Sequence, residues 1–256
     1  MTKKIVIGNW KMNPVSFVEA NKIYKDIVKN LPTLKKTEVV VCPPVVYLEN
    51  LKKVSKKISL GVQNSSYVKS GAFTGELSAK MLSGVGAKYV ILGHSERRSP
   101  AIGGGENNEL INKKVINAIA GGLISVLCVG ENVRDASLQY LGFIETQILE
   151  CFEGVSKNAL KKVIIAYEPI WAIGENATRS ATPAEFLEIS IFIKKILSDK
   201  YGAKNITELR IIYGGSVHPE NALSFLMEGQ ADGFLPGRDS LKPKKFLEII
   251  KIVEDN

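Results

Sequence analysis

The sequence predicts a single (β/α)8 barrel, an α/β fold in which eight parallel strands are surrounded by helices. Three observations lead to this prediction. Short apolar runs rich in β-branched residues recur eight times, helix-period segments separate them, and 256 residues shared among eight units leave about 32 for each, near the usual size of this fold. No Pro-rich or Ser-rich linker divides the chain, so residues 1–256 are expected to form one domain.

The eight runs are continuous apolar stretches, which is typical of a parallel sheet buried on both faces. The predicted strands are residues 4–8, 38–42, 60–62, 89–92, 123–128, 163–167, 209–213 and 231–235. An open, doubly wound sheet is an alternative that periodicity alone does not exclude. However, the segment after the first strand is Asn9-Trp10-Lys11-Met12-Asn13, which lacks the glycine pattern of a dinucleotide cradle.

Helical periodicity occupies the segments between several strands, and some of these segments carry start signals. Ser16 and Thr182 are predicted N-caps, and Pro183 suits a first-turn position. The predicted helices are residues 16–30, 109–120, 137–152, 182–200, 219–228 and 243–253.

Composition favours an ordinary globular protein, with 45% hydrophobic and 23% charged residues. We find neither an apolar run long enough to span a membrane nor a signal-peptide core, so we expect a cytoplasmic protein with no membrane partner. The three cysteines (Cys42, Cys128 and Cys151) are too widely spaced for a zinc site or a disulfide framework, and we expect buried, reduced thiols.

The formal net charge of +8 indicates an anionic partner, either a phosphorylated metabolite or nucleic acid. The lysines favour the metabolite because they form doublets scattered along the chain, such as Lys113-Lys114, which usually lie on solvated helix faces. No basic stripe with interleaved aromatic residues is present, so we expect no nucleic-acid partner.

Polar residues and glycines follow five of the predicted strands, and in a closed barrel the carboxyl ends of all strands meet on one face. Five segments at strand ends or in loops resemble the signatures of the triosephosphate isomerase family. They are residues 8–13 (GNWKMN), 71–76 (GAFTGE), 91–98 (ILGHSERR), 166–174 (AYEPIWAIG) and 213–217 (YGGSV).

The resemblance spans nearly the whole chain and implies a TIM barrel, a catalytic domain that interconverts dihydroxyacetone phosphate and D-glyceraldehyde 3-phosphate in glycolysis and gluconeogenesis. The reaction passes through an enediolate and requires no metal or organic cofactor. The resemblance also implies a homodimer in which the loop around Thr74 inserts into the neighbouring subunit. An exposed Phe73 on a glycine-flanked loop favours an interface on general grounds.

Moving a carbon-bound proton requires a base, and Glu168 is the candidate. An isolated Glu more often caps a helix or pairs with a surface lysine, but the apolar neighbours of Glu168 favour catalysis. His94 is one of two histidines and precedes a predicted helical turn, whose N–H groups favour the neutral imidazole that polarises a carbonyl in the family. His218, the other, is interpreted as an ordinary residue at a helix start.

Lys11 can neutralise the substrate dianion, although a loop lysine is usually solvated. Asn9 and Lys11 are two residues apart, so on an extended strand both side chains would enter the barrel mouth. Glu96 matches a family residue that supports Lys11, whereas Arg97 and Arg98 are expected to form structural ion pairs.

The phosphate group is expected to bind backbone amides in glycine-rich turns after strands seven and eight. Glycines also mark turns for conformational reasons alone, but two such turns in consecutive units favour phosphate. The predicted substrate-binding residues are Asn9, Lys11, Gly174, Gly215, Ser216, Gly237 and Arg238.

Three segments depart from the family pattern. Residues 99–105 are about three residues longer than usual, and we expect a flexible loop there. Residues 175–182, in the lid, are about two residues longer, so we expect lid motion to limit turnover. Pro236 and Asp239 replace a valine and a small residue after strand eight, which bears on phosphate affinity.

Two other functions stay open from the sequence alone. A different phosphate-binding barrel enzyme, such as a lyase or another sugar-phosphate isomerase, could share the turns after strands seven and eight. It would not need Asn9, Lys11, His94 and Glu168 together. An inactive scaffold protein that holds nucleic acid on its basic surface predicts tight, salt-sensitive binding.

Overall fold

The computed structural model describes residues 2–100, 105–174, 177 and 179–256, and it has the predicted architecture. Eight parallel strands form a closed barrel in sequence order, and β8 pairs with β1. The strands are β1 (Lys4–Asn9), β2 (Thr37–Cys42), β3 (Ser59–Val62), β4 (Tyr89–Leu92), β5 (Ile124–Val129), β6 (Val163–Tyr167), β7 (Arg210–Tyr213) and β8 (Gly233–Phe234).

Helices surround the barrel, and each long one covers it with an apolar face. In the described residues they are α1 (Phe17–Lys29), α2 (Val45–Val54), α3 (Ala79–Val85), α4 (Ser95–Arg98), α5 (Asn108–Ala120), α6 (Gln139–Cys151), α7 (Pro183–Tyr201), α8 (Pro219–Met227) and α9 (Pro243–Asp255). Short 3-10 helices connect some of the units.

Local sequence explains where the predicted helices begin. The Ser16 hydroxyl accepts the backbone N–H of Glu19, and the Thr182 hydroxyl accepts that of Glu185, so both predicted N-caps are confirmed. Pro183 occupies the first position of α7, where its missing N–H costs no hydrogen bond. Helix α3 is capped at its C-terminus by Gly86, whose φ of 108° lies in the left-handed region that glycine adopts most readily.

Strand β8 is shorter than predicted, since it contains only Gly233 and Phe234 rather than residues 231–235. It still closes the barrel, because Gly233 pairs with Ile5 and Phe234 with Val6. Gly233 has a φ of 149°, and a Cβ there would run into the backbone carbonyl of Ile5. The distorted backbone at this glycine shortens the regular strand while allowing close contact with β1.

Two apolar layers hold the barrel together. One layer lies between the strands and the helices and includes Trp10, Tyr24 and Phe186, all without solvent exposure. The other fills the barrel interior, since side chains of alternate strand residues point inward. The interior residues are Ile5, Ile7, Val40, Cys42, Tyr89, Ile91, Val126, Cys128, Ile164, Ala166, Ile212 and Leu235.

The three cysteines are free and buried, as expected. The interpretation of the lysine doublets as solvated residues is wrong for Lys114, which is 4% exposed. Its ammonium group lies 2.7 Å from the Glu106 carboxylate, and burial lowers its pKa. Glu106 also pairs with Arg97, so the predicted ion pair of Arg97 is present.

Arg98 differs from the prediction. In the described part of the chain it forms no ion pair, and its guanidinium donates to the carbonyls of Gly93 and Cys128 and to the Asn108 side chain. These bonds tie the ends of β4 and β5 to helix α5. The reason is that the arginine lies beside strand ends, where carbonyl oxygens need donors.

Candidate active site

A cavity of about 220 Å³ opens at the carboxyl ends of the strands, between the loops that follow β7 and β8. Nine of its lining residues come from four strand ends, those of β1, β4, β7 and β8, and from the segment that follows β6; they are Asn9, Lys11, His94, Gly174, Gly214, Gly215, Ser216, Gly237 and Arg238. All the predicted substrate-binding residues therefore line one cavity. A larger cavity of about 910 Å³ lies beside α5 and α6, but the side chains with candidate chemistry do not line it.

Glu168 follows β6 and is 1% exposed. One of its carboxylate oxygens, Oε2, accepts the backbone N–H of Ser95 at 2.9 Å. The other oxygen, Oε1, is buried without a hydrogen-bond partner and lies 3.3 Å from Nε2 of His94. A carboxylate oxygen without a hydrogen-bond partner is available to accept a proton.

His94 occupies the N-cap of α4, as the predicted helical turn requires. Its Nδ1 accepts the backbone N–H of Glu96 at 3.2 Å, so in the neutral ring the proton belongs on Nε2. That nitrogen is on the side of Glu168, and the ring lines the cavity. A neutral imidazole that donates from Nε2 can polarise a carbonyl oxygen.

Lys11 lines the cavity, but its backbone conformation differs from the predicted one. It lies beyond the end of β1 with a φ of 52°, so the argument from an extended strand is wrong. The left-handed turn forms because the Lys11 N–H donates to Oδ1 of the buried Asn9 at 3.1 Å. The Lys11 ammonium group pairs with Glu96 at 2.6 Å, as the resemblance implied.

Glycine-rich turns after β7 and β8 form the opposite wall of the cavity. A Cβ at Gly215 would run into the ring of Tyr213, and one at Gly237 would lie 3.4 Å from the Lys11 side chain. The Ser216 hydroxyl donates to the carbonyl of Ala172 at 3.2 Å and so joins this wall to the base of the lid. Backbone that approaches a cavity closely, beside a lysine, suits an anion.

His218 and Asp239 also line this cavity, although neither was predicted as a site residue. His218 is the N-cap of α8, but its ring also pairs with the Asp239 carboxylate at 2.7 Å, so it is more than an ordinary residue at a helix start. Asp239 is 3% exposed. A signal was available in the sequence, because Asp239 departs from the family pattern.

Residues that were not predicted hold the predicted site residues in place. The Gln63 amide donates to the carbonyls of Lys11 and Cys42, each at 2.8 Å, and thereby braces the Lys11 turn. Gly130 lets β5 approach the backbone of Glu168, since a Cβ there would run into the Glu168 carbonyl. Gln63 directly follows β3, and its position at a strand end was the available signal.

A buried carboxylate anchors the segment that leads into the lid. Oε1 of Glu131 accepts hydrogen bonds from the Tyr167 hydroxyl at 2.7 Å and from the Trp171 indole at 2.8 Å. Burial raises the pKa of Glu131. The guanidinium of Arg179 lies 4.3 Å from the centre of the Trp171 ring. The two segments expected to be longer than the family pattern, residues 99–105 and 175–182, fall partly outside the described residues.

In residues 2–100, 105–174, 177 and 179–256, no three His, Cys, Asp or Glu side chains gather as a metal ion would need. Over the same residues, every helix is too short or too polar to cross a membrane.

The sequence pattern of one protein family, triosephosphate isomerase, matches residues 4–253. The chain belongs to the triosephosphate isomerase family. It is 43% identical over 253 residues to a triosephosphate isomerase of Alkaliphilus oremlandii (strain OhILAs), a match that covers 98% of this chain and 99% of the relative. A triosephosphate isomerase of Dictyoglomus thermophilum is 40% identical over 254 residues, with 98% and 100% covered. The chain is therefore an isomerase of the triosephosphate isomerase family, and the barrel described above is a TIM barrel.

Proposed function

We propose that the protein interconverts dihydroxyacetone phosphate and D-glyceraldehyde 3-phosphate, as a single catalytic domain that uses Glu168 as the base. The observation that carries the proposal is the unsatisfied Oε1 of Glu168, 3.3 Å from Nε2 of His94 and beside a cavity lined by main-chain turns. This geometry places the base opposite a hydrogen-bond donor for the carbonyl oxygen on the carbon next to the one that is deprotonated.

The reaction follows from these positions. The Glu168 carboxylate removes a proton from the hydroxymethyl carbon of the ketose, and the electron pair moves to the carbonyl oxygen to give an enediolate. His94 donates from Nε2 to the enediolate oxygens, and the Lys11 ammonium group compensates their negative charge. A proton passes from the hydroxyl oxygen on the first carbon to the oxygen on the second by way of Nε2 of His94, and Glu168 returns the abstracted proton to the second carbon. The double bond then forms between the first carbon and its oxygen, which yields the aldose.

Lys11 is held for this role by Glu96 and by Asn9, which fix its ammonium group and its backbone. The phosphate group of the substrate binds at the opposite wall, against the main chain of Gly215, Ser216, Gly237 and Arg238, with Gly174 at the start of the lid. Binding of the phosphate group at this wall places the reacting carbons of the substrate beside Glu168. Proton transfer within the complex then becomes effectively unimolecular.

A coupled assay of triose phosphate interconversion tests the proposal. Glu168→Asp withdraws the carboxylate by one methylene, so we expect kcat to fall by about 100-fold or more while KM changes by no more than about threefold. Glu248→Asp makes the same change at an exposed position of α9 and should leave both constants unaltered. A wild-type protein without isomerase activity, or equal kcat values for the wild type and Glu168→Asp, would contradict the proposal.

We also propose that the protein works in the cytoplasm as a homodimer, in which the loop around Thr74 inserts into the partner. Support comes from apolar side chains left in solvent: Met12, Val15, Val18 and Val46 are 89%, 90%, 79% and 74% exposed. Met12 also lines a cleft of about 420 Å³ that reaches Lys11 and His94. A partner covering this surface would remove apolar area from water beside the active site.

Sedimentation velocity at micromolar concentration tests the dimer. Val15→Arg should produce a monomer with reduced activity, because a charge would be buried in the interface. The control, Ile191→Arg, changes a 58% exposed residue on α7 and should stay dimeric. A stable, fully active wild-type monomer would refute this proposal.

A further inference from the structure

His218 and Asp239 meet across two units of the barrel, beside the proposed phosphate site. His218 precedes α8, in the loop that follows β7, and Asp239 lies in the 3-10 helix Arg238–Leu241 that follows β8. Nδ1 of His218 lies 2.7 Å from Oδ2 of Asp239. The carboxylate is 3% exposed, whereas the imidazole side chain is 38% exposed and also lines the cavity.

Asp239 is ionised at neutral pH. Burial opposes the charge, but hydrogen bonds from His218 and Lys242 outweigh it and lower the pKa of the carboxyl group. The Nζ atoms of Lys242 and Lys245 lie 3.3 and 3.5 Å from its oxygens. An ionised carboxylate only accepts hydrogen bonds, so Nδ1 of His218 must carry a proton. Asp239 engages Nδ1 and not Nε2 of the same ring.

An ionised carboxylate beside an anion site would repel phosphate unless a cation lies between them. Lys242 is 62% exposed and belongs to the segment that precedes α9, and neither it nor Lys245 lines the cavity. His218 lines the cavity and contacts Asp239 directly. It is therefore placed to face Asp239 through Nδ1 and an anion through Nε2.

We propose that His218, held by Asp239, is an additional phosphate-binding residue of this chain, which donates from Nε2 of the protonated ring to the phosphate group of the substrate. The inference rests on the proposed function for the position of the phosphate. Protonation supplies both the donor on Nε2 and a positive charge, so affinity for a dianion rises as pH falls toward the range in which imidazole titrates.

Several other charged groups lie around His218 and also affect how anion binding depends on pH. Lys11, His94 and Arg238 share the cavity, Lys242 and Lys245 contact Asp239, and Glu220 follows on α8 within 3.9 Å of Lys245. Their contributions are common to the wild type and to variants of His218. The effect of His218 is therefore the difference between the pH profiles of the wild type and the variant.

Sulfate is a suitable probe because it stays a dianion where phosphate itself titrates. Calorimetric titration with sodium sulfate at about pH 6 and about pH 8 should show about fivefold tighter binding by the wild type at the lower pH. His218→Asn replaces the ring with a neutral side chain and should lose most of that difference. His218→Lys retains a cation at both pH values and should bind sulfate with little pH dependence. For the triose phosphate reaction, we expect His218→Asn to raise KM more than it lowers kcat.

Lys251→Gln, which removes an exposed charge from α9, is the control for net charge and should keep the wild-type profile. An unchanged pH profile in His218→Asn, an equal loss in the control, or a wild type that binds no sulfate would overturn the inference. If His218→Asn does not fold, strong pH dependence in His218→Lys would overturn it. Sulfate binding is measured without turnover. The titration therefore tests the role of His218 even if the protein lacks isomerase activity, and the two proposals can fail separately.

Discussion

Lys11 shows how one residue in an unfavourable conformation is held at the site. A φ of 52° is uncommon for a residue with a long side chain and costs about 1 kcal/mol or more. Hydrogen bonds to Asn9 and from Gln63 hold the turn, and the ion pair with Glu96 fixes the end of the side chain. The position of the ammonium group therefore depends on neighbours in β1, directly after β3, and in α4.

Removing the Gln63 amide should weaken the site without touching a reacting group. In Gln63→Leu, the carbonyls of Lys11 and Cys42 lose their donor, and we expect kcat/KM to fall by about tenfold as Lys11 shifts. Steady-state kinetics measures the change. Gln139→Leu, at an exposed position of α6, is the matched control. Equal kcat/KM values for Gln63→Leu and the wild type would show that Asn9 and Glu96 suffice to hold Lys11.

The positions of the predicted site residues follow from the sequence, but the contacts that hold them do not. Glu168, His94 and Lys11 follow strands, and topology brings them to one face, so their convergence was predictable. The hydrogen bond from Gln63 to the Lys11 turn and the pairing of His218 with Asp239 depend on side chains from different units. No local pattern in a single sequence records such contacts.

At the scale of elements, the best-predicted helices are those with start signals and several turns. Helix α7 was predicted within one residue at each end because Thr182 and Pro183 mark its start. Helices α2 and α3, with ten and seven residues, were not among the predicted segments, and the four-residue α4 was predicted only as a helical turn after His94. Short helices show too few turns for periodicity, and packing against the barrel determines them.

Glu185 at the start of α7 should make the protein's stability depend on pH. Hydrogen bonds from Arg179 and Thr182 lower the pKa of its carboxyl group from 4.5 to about 2. Since the folded-state pKa is the lower one, the stabilisation is complete above the unfolded value of 4.5 and disappears as pH falls toward about 2. Glu185→Gln should therefore cost about 1 kcal/mol at neutral pH, and less as pH falls below 4.5.

Urea unfolding of Glu185→Gln and wild type across this range measures the effect. Glu248→Gln, at an exposed position of α9, serves as the control and should match the wild type at every pH. If the stability lost in Glu185→Gln stays constant below pH 4.5, the loss comes from a missing contact of the side chain and not from its missing charge.

At the scale of the whole molecule, closure of the barrel depends on a strand of two residues. The ladder pairs between β8 and β1 are Ile5 with Gly233 and Val6 with Phe234, and backbone hydrogen bonds from Ile5 to the carbonyl of Asp232 and from Asn9 to that of Pro236 flank them. The sequence predicted eight strands but not this narrow contact, because the backbone of Gly233 is set by its neighbour in β1 and not by its own segment.

Gly233→Ala should destabilise the folded protein by about 3 kcal/mol or more, because the added Cβ meets the Ile5 backbone and the φ of 149° is unfavourable for alanine. Gly142→Ala is the control, since no atom lies within 4 Å of its added Cβ and alanine favours the interior of α6. We expect the control to gain up to about 1 kcal/mol. Denaturant unfolding compares the two, and equal stabilities would argue against a strained closure.

The burial of all three thiols gives the molecule an internal reporter of its own opening. Two of them, Cys42 and Cys128, face the barrel interior, and burial raises the pKa of each. Burial raises the pKa of Cys151 as well. Alkylating reagents attack the thiolate, which forms readily only after water enters. The rate at which the native protein is alkylated therefore measures how often the structure around the thiols opens, without any added label.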